Sequence, residues 1–190
     1  MIEVSFSARV KAREHEMGRA FAMSFTAAHL FFDDVQVGQE WESLGRTVTE
    51  SDIVNFAGLS GDFNPIHMDH EFAKKTVFRK PIAHGLLIQA MGSGLGMAFP
   101  SMRTLAFLAI KEWRFLEPVY IGDTIRVKAR LLEKEERSRG RRGVITWERQ
   151  IINQNNKAVQ EGIIVTLVEG RGGRTATTDM QAGDSGDATG

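Results

Sequence analysis

The pattern of apolar and polar residues changes at Pro100. The next segment, RTLAFLAIKEWRFL, has many β-branched and aromatic residues and little helical spacing. Apolar and polar residues then alternate in three segments, DTIRVKARLLEKE, RGVITWERQIIN and KAVQEGIIVTLVEG, and the turn-forming strings PVYIGD, RSRGRRG and NQNNK separate the four. Alternation with a period of two is typical of strands with one buried face. We therefore predict four strands in sequence, arranged as an antiparallel meander.

The sequence before the candidate loop predicts one strand and one helix. The strand lies around residues 40–48, after the turn in DDVQVGQEW. Thr49 is a good N-cap residue, and Asp52 three positions later is a near capping-box partner. We therefore predict a helix over ESDIVNFAGLS that ends at Gly61, the usual C-terminal place for glycine.

Two more helices are predicted before the strands. Asp69 caps a short helix, HEFAKKT, and Pro81 lies near the start of a long apolar helix, PIAHGLLIQAMGSGLGMAF. Within it, residues 92–96 (GSGLG) are similar to a dinucleotide-binding loop but follow no strand, so we interpret them as a close-packing surface. One strand, then helices, then four strands indicate an α+β fold with its sheet wrapped on the long helix.

The same pattern predicts the domain organisation. Residues 31–169 are expected to form a single domain, and residues 1–30 are an N-terminal extension whose order the sequence leaves undecided. Residues 170–190, GRGGRTATTDMQAGDSGDATG, are rich in small and polar residues and are predicted to form a disordered tail.

Composition and charge narrow the possible functions. The 190 residues include no cysteine, which excludes disulfides, thiolate metal sites and cysteine nucleophiles and fits a cytoplasmic protein. Because 24 basic residues balance 24 acidic ones, no chain-wide field favours nucleic acid or an anionic membrane. The longest apolar run, residues 85–99, is too short to span a bilayer. We therefore expect neither a nucleic acid nor a membrane as partner.

The candidate chemistry lies in FAGLSGDFNPIHMDHEFA, residues 56–73. Pro65 restricts Asn64, so Asp62 and His67 are expected to flank a stiff extended turn. A carboxylate and an imidazole that share one water can act as general base and general acid. On spacing alone, a purely structural turn remains open, because Asp and Asn commonly form such turns.

A metal site is a further alternative for the same stretch. Asp62, His67, Asp69 and His70 are clustered in the sequence, but two histidines three apart around an aspartate do not match a well-known ligand spacing. We therefore predict no metal.

The string FAGLSGDFNPIH, followed by Ala73, resembles the hydratase-2 motif of MaoC-like (R)-specific enoyl-CoA hydratases. FRKPIAHGLLIQAMGSGL and FLEPVYIGDTIRV also resemble this family, and the resemblance covers residues 31–169. It implies the hot-dog fold, in which an antiparallel sheet wraps one long helix. It also implies a homodimer, or a higher homo-oligomer, that needs no cofactor.

The resemblance implies a role for each matching residue. Asp62 and His67 would activate the water that adds to C3 of a trans-2-enoyl-CoA, giving the (R)-3-hydroxyacyl thioester, and Asn64 would help to fix the loop. Gly85 would offer its backbone N–H to the thioester oxygen, where a helix N-terminus stabilises negative charge. An acyl-carrier thioester remains open as substrate. So do a non-catalytic acyl-thioester-binding protein and a structural subunit of a heteromeric dehydratase; a hot-dog thioesterase would carry other motifs.

Coenzyme A carries phosphates, which need basic side chains. Arg79 and Lys80 are candidates because they are close in sequence to Gly85. They compete with the arginines of residues 137–142, a charge run that is more typical of a solvated hairpin turn. His84 is interpreted as a packed residue at the helix start, with a second base as the alternative.

Overall fold

The computed structural model describes residues 29–172. They form a short 3₁₀ turn, Phe32–Asp34, six strands and four helices. The strands are β1 (Glu40–Glu42), β2 (Arg46–Thr47), β3 (Thr104–Phe115), β4 (Thr124–Arg137), β5 (Arg142–Ile152) and β6 (Ala158–Glu169). The helices are α1 (Glu50–Ser60), α2 (Pro65–Met68), α3 (His70–Ala73) and α4 (Gly85–Ala98).

The chain ends lie beyond these residues. The predicted extension before residue 29 and the predicted tail after residue 172 lie outside the described part. At the two boundaries, Leu30 donates its N–H to Ser101 O at 2.8 Å, and Arg171 forms an ion pair with Asp34 at 2.9 Å. The contacts with the domain therefore extend slightly past both predicted boundaries. None of the described helices is long and apolar enough to cross a membrane.

The sheet is antiparallel throughout, in the order β1-β4-β5-β6-β3. The four predicted long strands are confirmed, but the predicted meander is wrong for β3, which pairs with β6 instead of β4. The connection between β3 and β4 explains this. Ala83, just before α4, donates its N–H to Val119 O at 2.8 Å, so the connection crosses beside the start of α4. The next strand, β4, therefore pairs with β1, β2 and β5 and not with β3.

The predicted strand over residues 40–48 is two short strands. β1 and β2 both pair with β4, and the ladder is interrupted between them at residues 43–45. Ser43 causes part of the interruption, because its hydroxyl accepts the Val127 N–H at 2.9 Å, which a strand carbonyl would otherwise accept.

Helix α1 begins and ends as predicted. The Thr49 side chain accepts the Asp52 N–H, the Asp52 carboxylate accepts the Thr49 N–H, and Gly61 follows the helix with φ 76°. Together they satisfy backbone groups that the helix ends leave free. This fixes the point at which the Asp62 segment leaves the helix.

Helix α4 begins at Gly85, four residues later than the predicted start at Pro81. Backbone bonds to the connection before β4 hold the intervening residues extended, with an isolated bridge between Ile82 and Tyr120. The helix packs on the sheet through a core cluster that includes Leu87, Ile88, Met91, Val127 and Ile151.

The close-packing interpretation of residues 92–96 is confirmed for Gly92 and Gly96, but not for Gly94, where a Cβ would meet nothing within 4 Å. A Cβ on Gly92 would collide with the Ile151 side chain, and one on Gly96 would collide with the Arg149 guanidinium. Both glycines therefore let α4 lie close to β5.

Candidate active site

Asp62 lies on the segment that joins α1 to α2. Its N–H bonds to Ser60 Oγ at 3.2 Å, and its Oδ1 accepts the Asn64 N–H at 3.2 Å. Asn64 in turn accepts the Ile66 N–H at 3.1 Å and so caps α2, with Pro65 at the first helical position. The prediction of a stiff extended turn holds up to Asn64. It is wrong beyond, because the Asn64 cap and Pro65 start a helical turn that carries the next functional residue.

That residue is His67, whose ring orientation is fixed by the backbone. Its Nδ1 lies 2.7 Å from Ile82 O. Because a carbonyl oxygen can only accept, Nδ1 carries the proton, and Nε2 of the neutral ring keeps a lone pair. Nε2 lies 4.0 Å from Asp62 Oδ2. This distance is too long for a direct hydrogen bond but fits one water at about 2.8 Å from each atom.

His84 contacts both Asp62 and His67. It immediately precedes α4 and is 2% exposed, and its Nε2 donates to Asp62 O at 2.9 Å. Its ring stacks on His67 with centroids 3.8 Å apart and also contacts Phe56. Its Nδ1 has no hydrogen-bond partner among residues 29–172. His84 is therefore a packed residue, as expected, and its ring also connects Asp62 to the start of α4.

A cavity of about 400 Å³ opens beside this pair, and His67, Gly85, Phe115 and Gln160 are among its lining residues. Gly85 is the first residue of α4, and its N–H makes no hydrogen bond within the described part of the chain. A Cβ there would lie 2.8 Å from the Phe115 ring. The glycine is therefore needed for close packing, and it leaves a free N–H at a helix N-terminus.

Gln160 is a buried residue of this cavity that the sequence patterns did not single out. It receives the Trp113 indole N–H at 3.0 Å and donates to Gly85 O at 2.8 Å. It therefore ties the first turn of α4 to β6. A glutamine on β6 directly after the buried Val159 is the signal that could have pointed to it.

The four residues weighed as a metal site, Asp62, His67, Asp69 and His70, do not come together in the structure. Asp69 caps α3, and His70 pairs with Glu50 at 3.1 Å, so neither faces Asp62 and His67. His84 takes their place, and its ligand-type atoms lie within 4.8 Å of those of Asp62 and His67.

The tautomers argue against a metal here as well. The Nε2 of His84, which is 4.0 Å from Asp62 Oδ2, is the nitrogen that donates to the Asp62 carbonyl. A protonated ring nitrogen offers no lone pair to a metal ion. The arrangement therefore suits a proton-transfer site better than a metal centre.

The basic residues fall into two places. Arg79 and Lys80 lie on the segment before α4, where Lys80 Nζ rests 4.3 Å from the Tyr120 ring centroid. The arginine-rich hairpin lies at the other end of the sheet, since Arg142 pairs with Glu169 at the end of β6 whereas Gln160 is near its start. The hairpin is therefore remote from the cavity.

The antiparallel sheet wrapped on one central helix is the hot-dog fold. The Asp62 carboxylate and the His67 imidazole flank a water-sized gap near the N-terminus of that helix. The protein is therefore a hot-dog protein with a candidate acid–base site. The sequence profile described as "MaoC like domain" matches residues 34–150. The chain belongs to the MaoC-like domain family.

Several relatives are hydratases by name. The chain is 43% identical over 96 residues to the (R)-specific enoyl-CoA hydratase of Rhodospirillum rubrum, covering 50% of this chain and 65% of that protein. It is 35% identical over 120 residues to Protein MaoC of Klebsiella aerogenes, covering 62% of this chain and 36% of that protein. The chain thus spans about two thirds of the first relative and about a third of the second.

A solved structure agrees in fold. The R-hydratase PhaJ1 from Pseudomonas aeruginosa in the unliganded form superposes with a TM-score of 0.60 at 30% identity, over 75% of this chain and 87% of that one.

Proposed function

We propose that this protein catalyses the reversible hydration of a trans-2-enoyl thioester to the (R)-3-hydroxyacyl thioester. The observation that carries the proposal is the 4.0 Å gap between His67 Nε2 and Asp62 Oδ2, with the His67 proton held on the other nitrogen by Ile82 O. A water in that gap donates one hydrogen bond to the carboxylate and one to the imidazole. Either group can then take the proton as hydroxide adds to C3.

Charge develops on the thioester oxygen as C3 is attacked. The free N–H of Gly85, at the N-terminus of a helix, is suited to stabilise the resulting enolate oxygen. Collapse of the enolate requires a proton at C2, and the residue that received the proton from water returns it there. The sum of these steps is the addition of one water across the double bond, with no cofactor.

The stereochemistry follows partly from geometry. Asp62 and His67 lie on one short segment, so both reach the same side of the planar enoyl group. Hydroxide and proton then arrive from one face, which gives syn addition. The choice of the (R) product is supported by the relatives named (R)-specific enoyl-CoA hydratase.

The catalytic assignment is tested with crotonyl-CoA, whose absorbance falls as the double bond is hydrated. We expect Asp62→Asn and His67→Ala each to lower kcat by about 100- to 10,000-fold, with melting temperatures near that of the wild type. The double variant should be little worse than either single one, because groups that act as a unit are not additive. Wild-type turnover in either single variant would remove the assignment.

Coenzyme A is the expected carrier, and Arg79 and Lys80 are the proposed contacts for its phosphates. Both are exposed and lie on the segment that leads to Gly85. Replacing both by Met should raise KM for crotonyl-CoA while leaving kcat unchanged, since phosphate contacts bind substrate and transition state alike. The pair Arg139→Met and Arg141→Met, on the remote hairpin, is the charge-matched control. An unchanged KM in the first variant would exclude these contacts.

The proposed assembly is a homodimer through β3. This strand lies at the sheet edge, pairs only with β6 among the described residues, and exposes apolar side chains. They include Leu105, Phe107, Leu108, Ile110 and Phe115. An exposed apolar edge favours pairing with a second copy of the same edge. Because Phe115 also packs on Gly85, the partner would lie close to the cavity.

The alternative function is a non-catalytic acyl-thioester-binding protein, or a structural subunit of a heteromeric dehydratase. A subunit without chemistry has no need of both Asp62 and His67 in this arrangement. Binding of crotonyl-CoA without loss of the double bond would favour this alternative.

A further inference from the structure

A second cavity, of about 390 Å³, lies between α4 and the sheet. Most of its lining is apolar, with contributions from Leu86, Phe107, Ile110, Trp113 and Ile164. It adjoins the catalytic cavity, because Leu86 follows Gly85 and because Trp113 donates its indole N–H to Gln160. An acyl chain whose thioester oxygen is held by Gly85 would therefore reach this apolar space by passing Leu86 and Trp113.

One wall residue of this cavity is charged. Arg149 lies on the inner face of β5, the same face as the buried Ile145, Trp147 and Ile151. The residue is 4% exposed. Its Nη2 donates to Gly96 O at 3.1 Å, one of the last carbonyls of α4. Its Nε and Nη1 have no hydrogen-bond partner in residues 29–172. No carboxylate of those residues is within ion-pair distance of the guanidinium.

Burial alone does not neutralise this group. It lowers the pKa of Arg149 to about 10, so the guanidinium is still protonated at neutral pH. A buried charge without a partner destabilises the fold, whereas a buried charge with a carboxylate partner forms charge-assisted hydrogen bonds. The bond to Gly96 O satisfies the end of the helix but provides no counter-charge. An anion in the cavity would supply the counter-charge that residues 29–172 do not provide.

We propose that Arg149 binds a carboxylate at the far end of the acyl chain, so that the substrate is the mono-thioester of a long dicarboxylic acid. This inference rests on the proposed hydratase function and specifies its substrate. The apolar wall accommodates the methylene groups, and the planar guanidinium matches the carboxylate.

The helix gives an approximate chain length. At 1.5 Å per residue, Leu86 to Ser93 spans about 10 Å and Gly85 to Gly96 about 16 Å. An extended alkyl chain with carbon–carbon bonds of about 1.5 Å advances about 1.25 Å per bond, so it covers about 10 to 16 Å in roughly eight to thirteen bonds. Crotonyl-CoA is too short to reach Arg149 and therefore reports on catalysis alone.

The test compares trans-2-decenoyl-CoA with the ω-carboxylated thioester of the same length. We expect the wild type to prefer the ω-carboxylate in kcat/KM by about 10- to 100-fold, as a charge-assisted pair would give. Arg149→Met should abolish the preference while leaving crotonyl-CoA hydration unchanged. Arg149→Lys should keep part of the preference. Arg130→Met, which removes an exposed charge from β4, is the matched control and should keep all of it.

A binding measurement separates this inference from the proposed function. Calorimetric titration with saturated decanoyl-CoA and its ω-carboxylated analogue needs no turnover, and the wild type should bind the second more tightly by the same factor. Hydration of decenoyl-CoA without any preference for the ω-carboxylate would overturn the Arg149 site and leave the hydratase standing. A binding preference without hydration of any thioester would overturn the hydratase and leave the site standing.

A third outcome concerns the partner subunit. If Arg149→Met turned an oligomer into a monomer in light scattering and the wild type showed no carboxylate preference, the counter-charge would come from a second copy of the chain. The substrate assignment would then be wrong.

Discussion

His84 allows a position-holding role to be separated from a chemical one. Its Nε2 donates to the backbone oxygen of Asp62, and its ring stacks on His67. His84→Gln keeps an N–H donor at a similar reach, whereas His84→Phe keeps an aromatic ring but has no donor. If the bond positions Asp62, the Gln variant should keep most of the wild-type kcat and the Phe variant should lose most of it.

The magnitudes follow from the surroundings of the ring. Losing the donor releases the Asp62 segment, and a displacement of about 1 Å can cost roughly 100-fold in rate. We therefore expect kcat of His84→Phe to fall by about 10- to 100-fold. Stability should change less. One hydrogen bond contributes about 1 kcal/mol, and removing the unpartnered buried Nδ1 offsets a similar amount. The free energy of unfolding should stay within about 1 kcal/mol of the wild-type value.

The assays are crotonyl-CoA hydration and urea unfolding on the same preparations. A Phe variant with wild-type kcat would refute the positioning role. Equal, large losses of kcat in both variants, with both folded, would instead support the alternative that His84 is a second base. A loss of several kcal/mol in the Phe variant would show that the offset from Nδ1 is wrong.

Three further outcomes are expected. Gly85→Ala should lower kcat/KM about 10-fold or more, because the added methyl group would lie 2.8 Å from the Phe115 ring, beside the free N–H. Gly94→Ala on the same helix is the control, because a Cβ there meets nothing within 4 Å. Asp52→Ala should cost about 1 kcal/mol of unfolding free energy near neutral pH through loss of the helix cap. The Thr49 N–H, with Arg46, lowers the pKa of Asp52 below 3.8, so this contribution is full above that pH and disappears as the pH falls through the lowered value; equal differences at pH 7 and pH 2 would contradict it. Light scattering at micromolar concentration should give at least a dimer, and Leu108→Asp on β3 should shift it toward monomer; a monomeric wild type would count against the β3 interface.

Local signals predicted the elements well because their causes are local. The capping box of Thr49 and Asp52 and the alternation in β4 to β6 each act over a few residues, and the structure shows both where expected. The position of β3 was missed because it depends on where the connection crosses α4, which no short window contains. The start of α4 was misplaced for the same reason, since bonds to that connection keep residues 81–84 extended.

The candidate site shows the same division. The motif placed Asp62 and His67 on one segment, and the structure brings them to either side of a water-sized gap. The bonds that orient them come from Ile82 and His84, residues 15 and 22 positions away in the chain from the groups they bind. Arg149 was overlooked among strand charges, although the alternation of Ile145, Trp147 and Ile151 places it on the inner face.

Isotope labelling tests the central claim, that water adds to C3, most directly. The wild type is incubated with crotonyl-CoA in ¹⁸O-water, and the products are analysed by mass spectrometry. The account predicts one label in the hydroxyl group of an intact 3-hydroxybutyryl-CoA, and almost none with Asp62→Asn. Label in the carboxyl group of a free acid would identify a thioesterase, and a complete lack of 3-hydroxybutyryl-CoA after prolonged incubation would contradict the proposed chemistry.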